Sequence, residues 1–570
     1  MVNRFRVLLV LFIIGFIALV VRLFYWQIIE GKELSVKARG QYEIGQVVQA
    51  PRGSILASDS TGLATRQEAW LVYASLPNIK EDPQRIADKL APFFVEDISD
   101  RQILLDEVVR LTALLSRNDV VWVQLKQKIE KPTKEAIEAL EIEGIGFDPQ
   151  EIRLYPESSS SAHLLGFVGK NDHGEDIGYF GLEGFYDLIL SGKPGYKARE
   201  SDARGIPILI GNSKEIFAVQ GVDLITNIDK AVQITLEREL KRGLEIYGAS
   251  EGSGIIMNPK TGAVIAMASF PSYDPSTYSV WSNELFKNPT ISNAFEPGSI
   301  FKVLVMAAGL DSGVVKPDTK CEICDKPIKI DKYYINTWNN EYNKDSSMTD
   351  VIVHSDNVGM VYVAQKMGKD KMYDYLSKFG MGKLTGIDLQ GEVTPAIREK
   401  NRWSEIDLAT SSFGQGIATT PIQIVNAVSA IANDGILLKP TVVKSLQGEG
   451  WQEDIKVEEV GRVISKKAAD EITAMMVEAA RIGESKWTYV SGFKVAGKTG
   501  TAQIPIEGHY DAEKTIASFV GFAPYDDPKF VMLITLKEPQ SSQWASETAA
   551  PLWYMVAKDL FLYYGIQPTN

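Results

Sequence analysis

The 570-residue sequence has few of the side chains that build disulfide frameworks or histidine-based catalytic triads. It contains two cysteines and four histidines. Two cysteines exclude a disulfide framework, and none of the four histidines lies in a recognisable triad motif. Acidic residues outnumber basic ones by 73 to 60, so the formal net charge is −13. A nucleic-acid binder needs a basic face, and this balance therefore argues against that class.

Internal repeats and long low-complexity tracts are also lacking. The 45% apolar and 23% charged residues are typical of a globular protein. The length exceeds what one compact core holds and predicts two to four domains.

The N-terminus carries a long apolar run behind two basic residues, Arg4 and Arg6. Residues 7–26 span ~30 Å as a helix, which matches a bilayer core. A cleaved signal peptide is the alternative, but no small-residue cleavage site follows the run. We predict an uncleaved single-pass anchor in the cell (inner) membrane. The two arginines predict a cytoplasmic N-terminus, with the rest of the chain beyond residue 30 outside the membrane.

Beyond the anchor, the chain divides into two regions of different sequence pattern. The chain is therefore predicted to have three parts, the anchor 1–29 and two domains at 30–225 and 226–570, with an α+β fold. Residues 30–225 mix short strands and helices without a clustered nucleophile, and they read as a structural pedestal. After residue 250, two strands precede a helical insert, and three strands with a closing helix follow it. This order predicts one antiparallel sheet flanked by helices.

Three short motifs occur in order in the C-terminal region. They are Ser-Ile-Phe-Lys at 299–302, Ser-Asp-Asn at 355–357 and Lys-Thr-Gly at 498–500. Each alone is weak, since a helix cap with a surface lysine explains the first and an ordinary helix cap the second. Together and in this order they indicate acyl transfer through a serine nucleophile.

The spacing of the first motif places Ser299 and Lys302 on one helix face, at the start of an apolar helix. Ser299 is the predicted nucleophile, and Lys302 is its predicted general base. The lysine pKa must then fall by roughly three units, which burial and a cation such as Lys498 would cause. Ser355 is predicted to relay the proton to the leaving amine. The backbone N–H groups of Ser299 and Thr501 are the predicted oxyanion hole.

The third motif lies in a predicted strand whose edge suits an extended peptide. Gly500 removes a side chain where a ligand backbone would lie. Lys498 and the hydroxyls of Thr499 and Thr501 suit a terminal carboxylate, and Asn357 suits the substrate's peptide bond. No metal ion or cofactor is predicted.

The two cysteines, Cys321 and Cys324, form a Cys-x-x-Cys pair. A zinc site would need two further ligands, and a thioredoxin-like redox site would need a βαβ setting. A short disulfide is favoured over zinc and over free thiols.

Further motifs carry a family resemblance over nearly the whole chain. Arg-Gly-Ser-Ile at 52–55, Arg-Leu-Tyr-Pro at 153–156, and the segments 221–229 and 414–423 accompany the three catalytic motifs. The chain resembles the class B, monofunctional penicillin-binding proteins, and residues 295–298 (Phe-Glu-Pro-Gly) are more similar to the division-type branch. Residues 57–60 depart from the family, which often has an Asp-Arg pair there.

The resemblance implies a penicillin-binding, serine β-lactamase-like transpeptidase domain behind a pedestal domain. It implies a peptidoglycan D,D-transpeptidase that acts on stem peptides ending in D-Ala-D-Ala and is inhibited by β-lactams. The implied partners are a membrane glycosyltransferase polymerase and division or elongation proteins.

The alternatives are a D,D-carboxypeptidase or β-lactamase and, third, a non-catalytic scaffold. A class A β-lactamase needs a Glu-x-x-Leu-Asn segment for deacylation, and none occurs within 358–497. The nearest glutamates, Glu392, Glu399 and Glu405, lack that pattern. This absence favours the transpeptidase.

Overall fold

The structure is a computed structural model that describes residues 2–200, 213–506 and 509–568. Contacts divide them into two compact units. The first comprises the described residues of Met1–Arg52 and Ser191–Gly221, and the second those of Gly53–Leu190 and Val222–Asn570.

The N-terminal part of the chain alternates short helices and strands. In chain order its helices and strands are α1 (Val2–Phe24), α2 (Gly31–Tyr42), β1 (Glu43–Val48), β2 (Ile55–Leu56), β3 (Gly62–Ser75), α3 (Pro83–Leu90), α4 (Arg101–Leu115), β4 (Trp122–Ile129), α5 (Lys131–Glu138), β5 (Ile145–Leu154), α6 (Ala162–Leu165), β6 (Phe167–Lys170), β7 (Asp176–Tyr179), α7 (Gly181–Phe185), α8 (Asp187–Leu190), β8 (Gly195–Glu200), β9 (Ser213–Ile216) and β10 (Asp223–Thr226).

The C-terminal part has longer helices and contains all the strands of the five-stranded sheet described below. These elements are α9 (Lys230–Tyr247), β11 (Glu251–Met257), β12 (Val264–Phe270), α10 (Pro289–Ser292), α11 (Lys302–Asp311), β13 (Ile328–Ile330), β14 (Tyr333–Ile335), α12 (Met348–Val353), α13 (Asn357–Met367), α14 (Lys369–Lys378), α15 (Glu405–Ser411), α16 (Pro421–Ala432), β15 (Ile436–Leu438), β16 (Val443–Gly448), β17 (Trp451–Asp454), β18 (Glu459–Arg462), α17 (Lys466–Ile482), β19 (Ala496–Ile506), β20 (His509–Ala523), β21 (Phe530–Lys537) and α18 (Ala549–Tyr563).

Helix α1 continues through a π-helical turn, Tyr25–Ile29. Together they provide an apolar span, Asn3–Ile29, of 27 residues whose side chains are exposed. Within the described residues, this is the one helix long and apolar enough to cross a membrane. The predicted segment 7–26 lies inside it, and the helix is consistent with a single-pass membrane anchor. In the same unit, β1, β8 and β9 form a three-stranded antiparallel sheet.

The pedestal sheet combines strands from distant parts of the chain. Its order is β17-β16-β10-β2-β3-β4, with β5 paired to β3. Strands β16 and β17 come from the C-terminal region, and β10 joins them to β2. The predicted boundary at 225/226 falls at the end of β10, and the domain limits stay predictions.

The catalytic sheet is a five-stranded sheet of order β12-β11-β21-β20-β19, and all its pairings are antiparallel. Successive side chains of its strands point alternately into two hydrophobic cores, one on each face of the sheet. Ile255 and Leu533 pack with the inserted helices on one face, whereas Ile256 and Met532 pack against α9 and α18 on the other. Side chains of a strand point to opposite faces in turn, so a sheet apolar on both faces lies buried between helix layers. The predicted α+β architecture is confirmed.

The inserted helix α11 is buried on all sides. Residues 302–310 have almost no exposed surface, and Lys302 is among them. A helix that is apolar all round belongs in a core, which explains the missing polar face in its sequence.

Cys321 and Cys324 form a disulfide in the insert after α11, as favoured from the sequence. Both cysteines are buried. Thiol titration of the denatured, unreduced protein is therefore expected to find no free thiol, and titration after reduction two. The bridge closes a very short loop, so its removal should cost at most ~2 kcal/mol of unfolding free energy. Two free thiols before reduction would contradict this assignment.

Candidate active site

Ser299 lies in a 3-10 helix, Gly298–Phe301, that precedes α11. The sequence predicted that Ser299 opens the α-helix itself. The difference follows from Gly298, which has a φ of +56° and donates its backbone N–H to the Gly414 carbonyl oxygen over 3.0 Å. A Cβ atom on Gly414 would lie 2.2 Å from the Gly298 oxygen. The serine turn is therefore fixed by backbone contacts that admit no side chain at Gly414.

Strand β19 lies at the edge of the catalytic sheet and carries the Lys-Thr-Gly motif. A Cβ atom on Gly500 would lie 2.9 Å from the backbone nitrogen of Ile300. The missing side chain thus lets the strand approach the serine turn, whereas the sequence predicted that it makes room for a ligand. The other side of β19 pairs with no strand among the described residues. The motif therefore faces an open sheet edge beside Ser299.

Lys302 is completely buried, and its Nζ atom is surrounded by oxygen atoms. Nζ donates to the Ser355 carbonyl oxygen at 2.6 Å, to Ser355 Oγ at 3.2 Å and to Asn357 Oδ1 at 2.7 Å. Burial and then the charge of Lys498 lower the pKa of Lys302 to about 7, against the opposing effects of Glu484 and Asp356. The lowered pKa increases the share of neutral lysine at neutral pH, as a general base requires.

Ser355 joins helices α12 and α13 in a left-handed conformation, with a φ of +56°. This conformation is uncommon for a residue with a side chain and is typical of functional sites. Asp356 caps α13 by accepting from the N–H groups of Val358 and Gly359. The turn buries the Ser355 hydroxyl between two lysines, because its Oγ also accepts from Lys498 Nζ at 3.0 Å.

Lys498 is also buried, and burial lowers the pKa of its ammonium group, against the opposing effect of Glu484. Its Nζ donates to the Thr499 carbonyl oxygen and hydroxyl, each at 3.1 Å. Two buried ammonium groups therefore share one acceptor, Ser355 Oγ. That oxygen accepts from both, so its own hydrogen is available to a ligand.

The remaining predicted residues are held by neighbours that the sequence motifs do not include. Asn357 Nδ2 donates to the Asn336 carbonyl oxygen at 2.9 Å. Thr501 Oγ1 accepts from the Ala545 N–H at 3.0 Å.

A third neighbour is Glu484, whose Oε2 accepts from Thr499 Oγ1 at 2.7 Å. No short sequence pattern marks these three neighbours, because two act through backbone groups and the third is a single carboxylate after a helix.

All eight predicted site residues thus meet where α11, the α12–α13 turn and β19 converge. The arrangement provides a serine hydroxyl, a lysine base of lowered pKa, a second cation and an open strand edge. Among the described residues, no group of three or more His, Cys, Asp or Glu side chains could hold a metal ion.

Comparison with known proteins assigns both parts of the chain. Residues 252–561 match the penicillin binding protein transpeptidase domain, and residues 47–226 match the penicillin-binding protein dimerisation domain. The chain is 31% identical to stage V sporulation protein D of Bacillus subtilis, over 99% of this chain and 86% of that protein. It is 26% identical to the probable peptidoglycan D,D-transpeptidase PenA of Neisseria meningitidis, over 100% of this chain and 94% of the relative.

The crystal structure of penicillin binding protein 2X from Streptococcus thermophilus is also similar. It superposes with a TM-score of 0.76 at 26% identity, covering 92% of this chain and 80% of that one. Both domain matches and the full-length relatives agree with the resemblance carried by the motifs. The chain therefore belongs to the class B penicillin-binding proteins.

Proposed function

We propose that this chain is a peptidoglycan D,D-transpeptidase that cross-links stem peptides through an acyl-enzyme at Ser299. The observation that carries the proposal is the contact of two buried lysines, Lys302 and Lys498, with the single hydroxyl of Ser355 beside the serine turn. A scaffold protein would have no use for two desolvated ammonium groups, which cost free energy to bury.

Acylation begins when Lys302, in its neutral form, takes the hydroxyl proton of Ser299. Ser299 Oγ then bonds to the carbonyl carbon of the penultimate D-Ala, and the negative charge moves to the carbonyl oxygen. The N–H groups of Ser299 and Thr501 stabilise that oxygen. When the C–N bond breaks, the terminal D-Ala leaves as an amine and takes a proton from Lys302 through Ser355.

The donor peptide binds along the open edge of β19 as an added strand. Lys498 and Thr501 attract its terminal carboxylate. The Thr499 hydroxyl, which the sequence predicted as a further donor, gives its hydrogen to Glu484 instead and positions Lys498. Asn357 has a narrower role than the sequence alone implied, because its carbonyl oxygen accepts from Lys302 and one amide hydrogen goes to Asn336. One amide hydrogen remains for the substrate's peptide carbonyl.

Transfer rather than hydrolysis follows from how the nearby carboxylates are engaged. Asp356 accepts two backbone hydrogen bonds at the cap of α13. Glu392 accepts from Thr385 and Gly386, away from the motifs. Glu484, the carboxylate in contact with the third motif, accepts from Thr499 Oγ1. These engagements favour an ester that waits for an acceptor amine, as cross-linking requires.

The same proposal covers location and partners. Arg4 and Arg6 favour a cytoplasmic N-terminus, which puts the transpeptidase domain of the proposed enzyme outside the cell membrane. The chain divides into an anchor (1–29), a pedestal (30–225) and a transpeptidase domain (226–570). The partners are a membrane glycosyltransferase that polymerises the glycan and proteins of division or elongation.

A penicillin is expected to form a stable covalent adduct on Ser299, because the opened β-lactam blocks the acceptor amine. Intact-mass spectrometry over time should find the adduct in the wild type and none in Ser299→Ala. Rapid return to the unmodified mass with turnover of the penicillin would favour a hydrolase.

Replacement of the base should slow acylation strongly. Lys302→Ala is expected to lower the second-order rate of penicillin acylation by about 10²–10⁴-fold, whereas the exposed control Lys316→Ala should not change it. Because only neutral Lys302 accepts a proton, the wild-type rate should rise as pH increases through about 7. Stopped-flow measurement from pH 5 to 9 tests both, and an unchanged rate in Lys302→Ala would rule out this base.

The anchor should be separable from catalysis. A shortened protein that starts at Gly31 keeps every motif and is expected to be soluble and to label with fluorescent penicillin at the full-length rate. Circular dichroism provides the control for folding. A folded but unlabelled protein would mean that the membrane span shapes the active site.

A further inference from the structure

Glu484 lies outside the three motifs but contacts one of them. It follows α17 by two residues and is half-buried. Its Oε2 accepts the hydroxyl hydrogen of Thr499 at 2.7 Å. The hydrogen of Thr499 is therefore already committed to this carboxylate, and the oxygen of the same hydroxyl accepts from Lys498.

This contact extends a continuous series of hydrogen bonds to the base. Glu484 accepts from Thr499, Thr499 accepts from Lys498 over 3.1 Å, and Lys498 donates to Ser355 Oγ over 3.0 Å. Ser355 Oγ also accepts from Lys302 over 3.2 Å. Glu484 is the most exposed end of the series, and the fully buried Lys302 is the other end.

The charges around Lys302 give Glu484 a second role. The charged groups that act on this lysine are Lys498, Glu484 and Asp356. Asp356 also caps α13. Glu484 is the other carboxylate that acts on Lys302, and it caps none of the described helices. The two nearest cations along the chain, Lys486 and Arg481, are both exposed, and Arg481 is paired with Glu478.

We propose that Glu484 is a positioning residue for Ser299 acylation. It fixes the Thr499 hydroxyl and, through it, the Lys498 ammonium group against Ser355. Its negative charge also sets the pH range in which Lys302 is neutral while Lys498 stays charged. The inference rests on the proposed acylation at Ser299 and adds a residue that belongs to none of the three motifs.

The sign of the charge effect follows from electrostatics. Glu484 favours the protonated form of both lysines, so its removal lowers the pKa of each. Neutral Lys302 then becomes available at lower pH, and the acidic limb of the rate profile shifts to lower pH. Lys498 also loses its proton at lower pH, so the alkaline limb of the rate profile shifts to lower pH as well.

The test is the pH profile of penicillin acylation, measured from pH 5 to 10 for the wild type and Glu484→Gln. We expect the acidic and the alkaline limb of the variant's profile to lie about one pH unit lower than those of the wild type. The variant should therefore be faster than the wild type at pH 5.5 and slower at pH 9.5. Glu484→Asp keeps the charge and should restore the wild-type limbs. Glu478→Gln makes the same charge change on α17, where the Glu478 carboxylate pairs with Arg481, and should leave the profile unchanged.

The outcomes separate this inference from the proposed function. Profiles of Glu484→Gln and wild type that differ by one constant factor at every pH would overturn the inference, since a purely structural residue acts in that way. An equal shift in Glu478→Gln would also overturn it. If Glu484→Gln does not fold, Glu484→Thr supplies a smaller neutral side chain for the same measurement. A wild type that forms no adduct on Ser299 would instead refute the proposed function.

Discussion

The site depends on two lysine ammonium groups held in a dry interior around one hydroxyl oxygen. Burial of a charge without partners is very costly, and much of the local structure provides those partners. Lys302 and Lys498 each have three oxygen acceptors, and one of them, Ser355 Oγ, is common to both. Desolvation, and then repulsion by Lys498, lower the pKa of Lys302, so this buried lysine can act as a base.

This constraint explains why three distant segments converge. Helix α11 must be buried on all sides so that its first residue, Lys302, is desolvated. The left-handed turn at Ser355 is needed because it presents both a carbonyl and a hydroxyl oxygen to the lysine. The sheet edge supplies Lys498 from a rigid strand, held in register by β20. Each of these elements is short, and its position is set by packing against one common hydrophobic core.

Much of this was predictable because it leaves a local trace. The three motifs contain seven of the eight predicted site residues, and the eighth, Thr501, directly follows the third motif. The two strands expected after residue 250 correspond to β11 and β12. Backbone groups leave no such trace, so the contacts made by the Asn336 carbonyl oxygen and the Ala545 N–H were not predictable. Neither was the pairing of β16 with β10, which joins segments far apart in the chain. Gly500 was expected to make room for a ligand backbone, and only the fold reveals that its neighbour is the serine turn.

The glycine contacts of the serine turn restrict which heritable changes this chain can tolerate. Gly414 meets the Gly298 oxygen and Gly500 meets the Ile300 nitrogen, at distances that exclude even a methyl group. A lineage exposed to an antibiotic cannot repel the drug by reshaping this turn, since the same change would displace its own nucleophile. Adaptive variation must therefore accumulate in side chains that border the groove, where drug and substrate make different contacts.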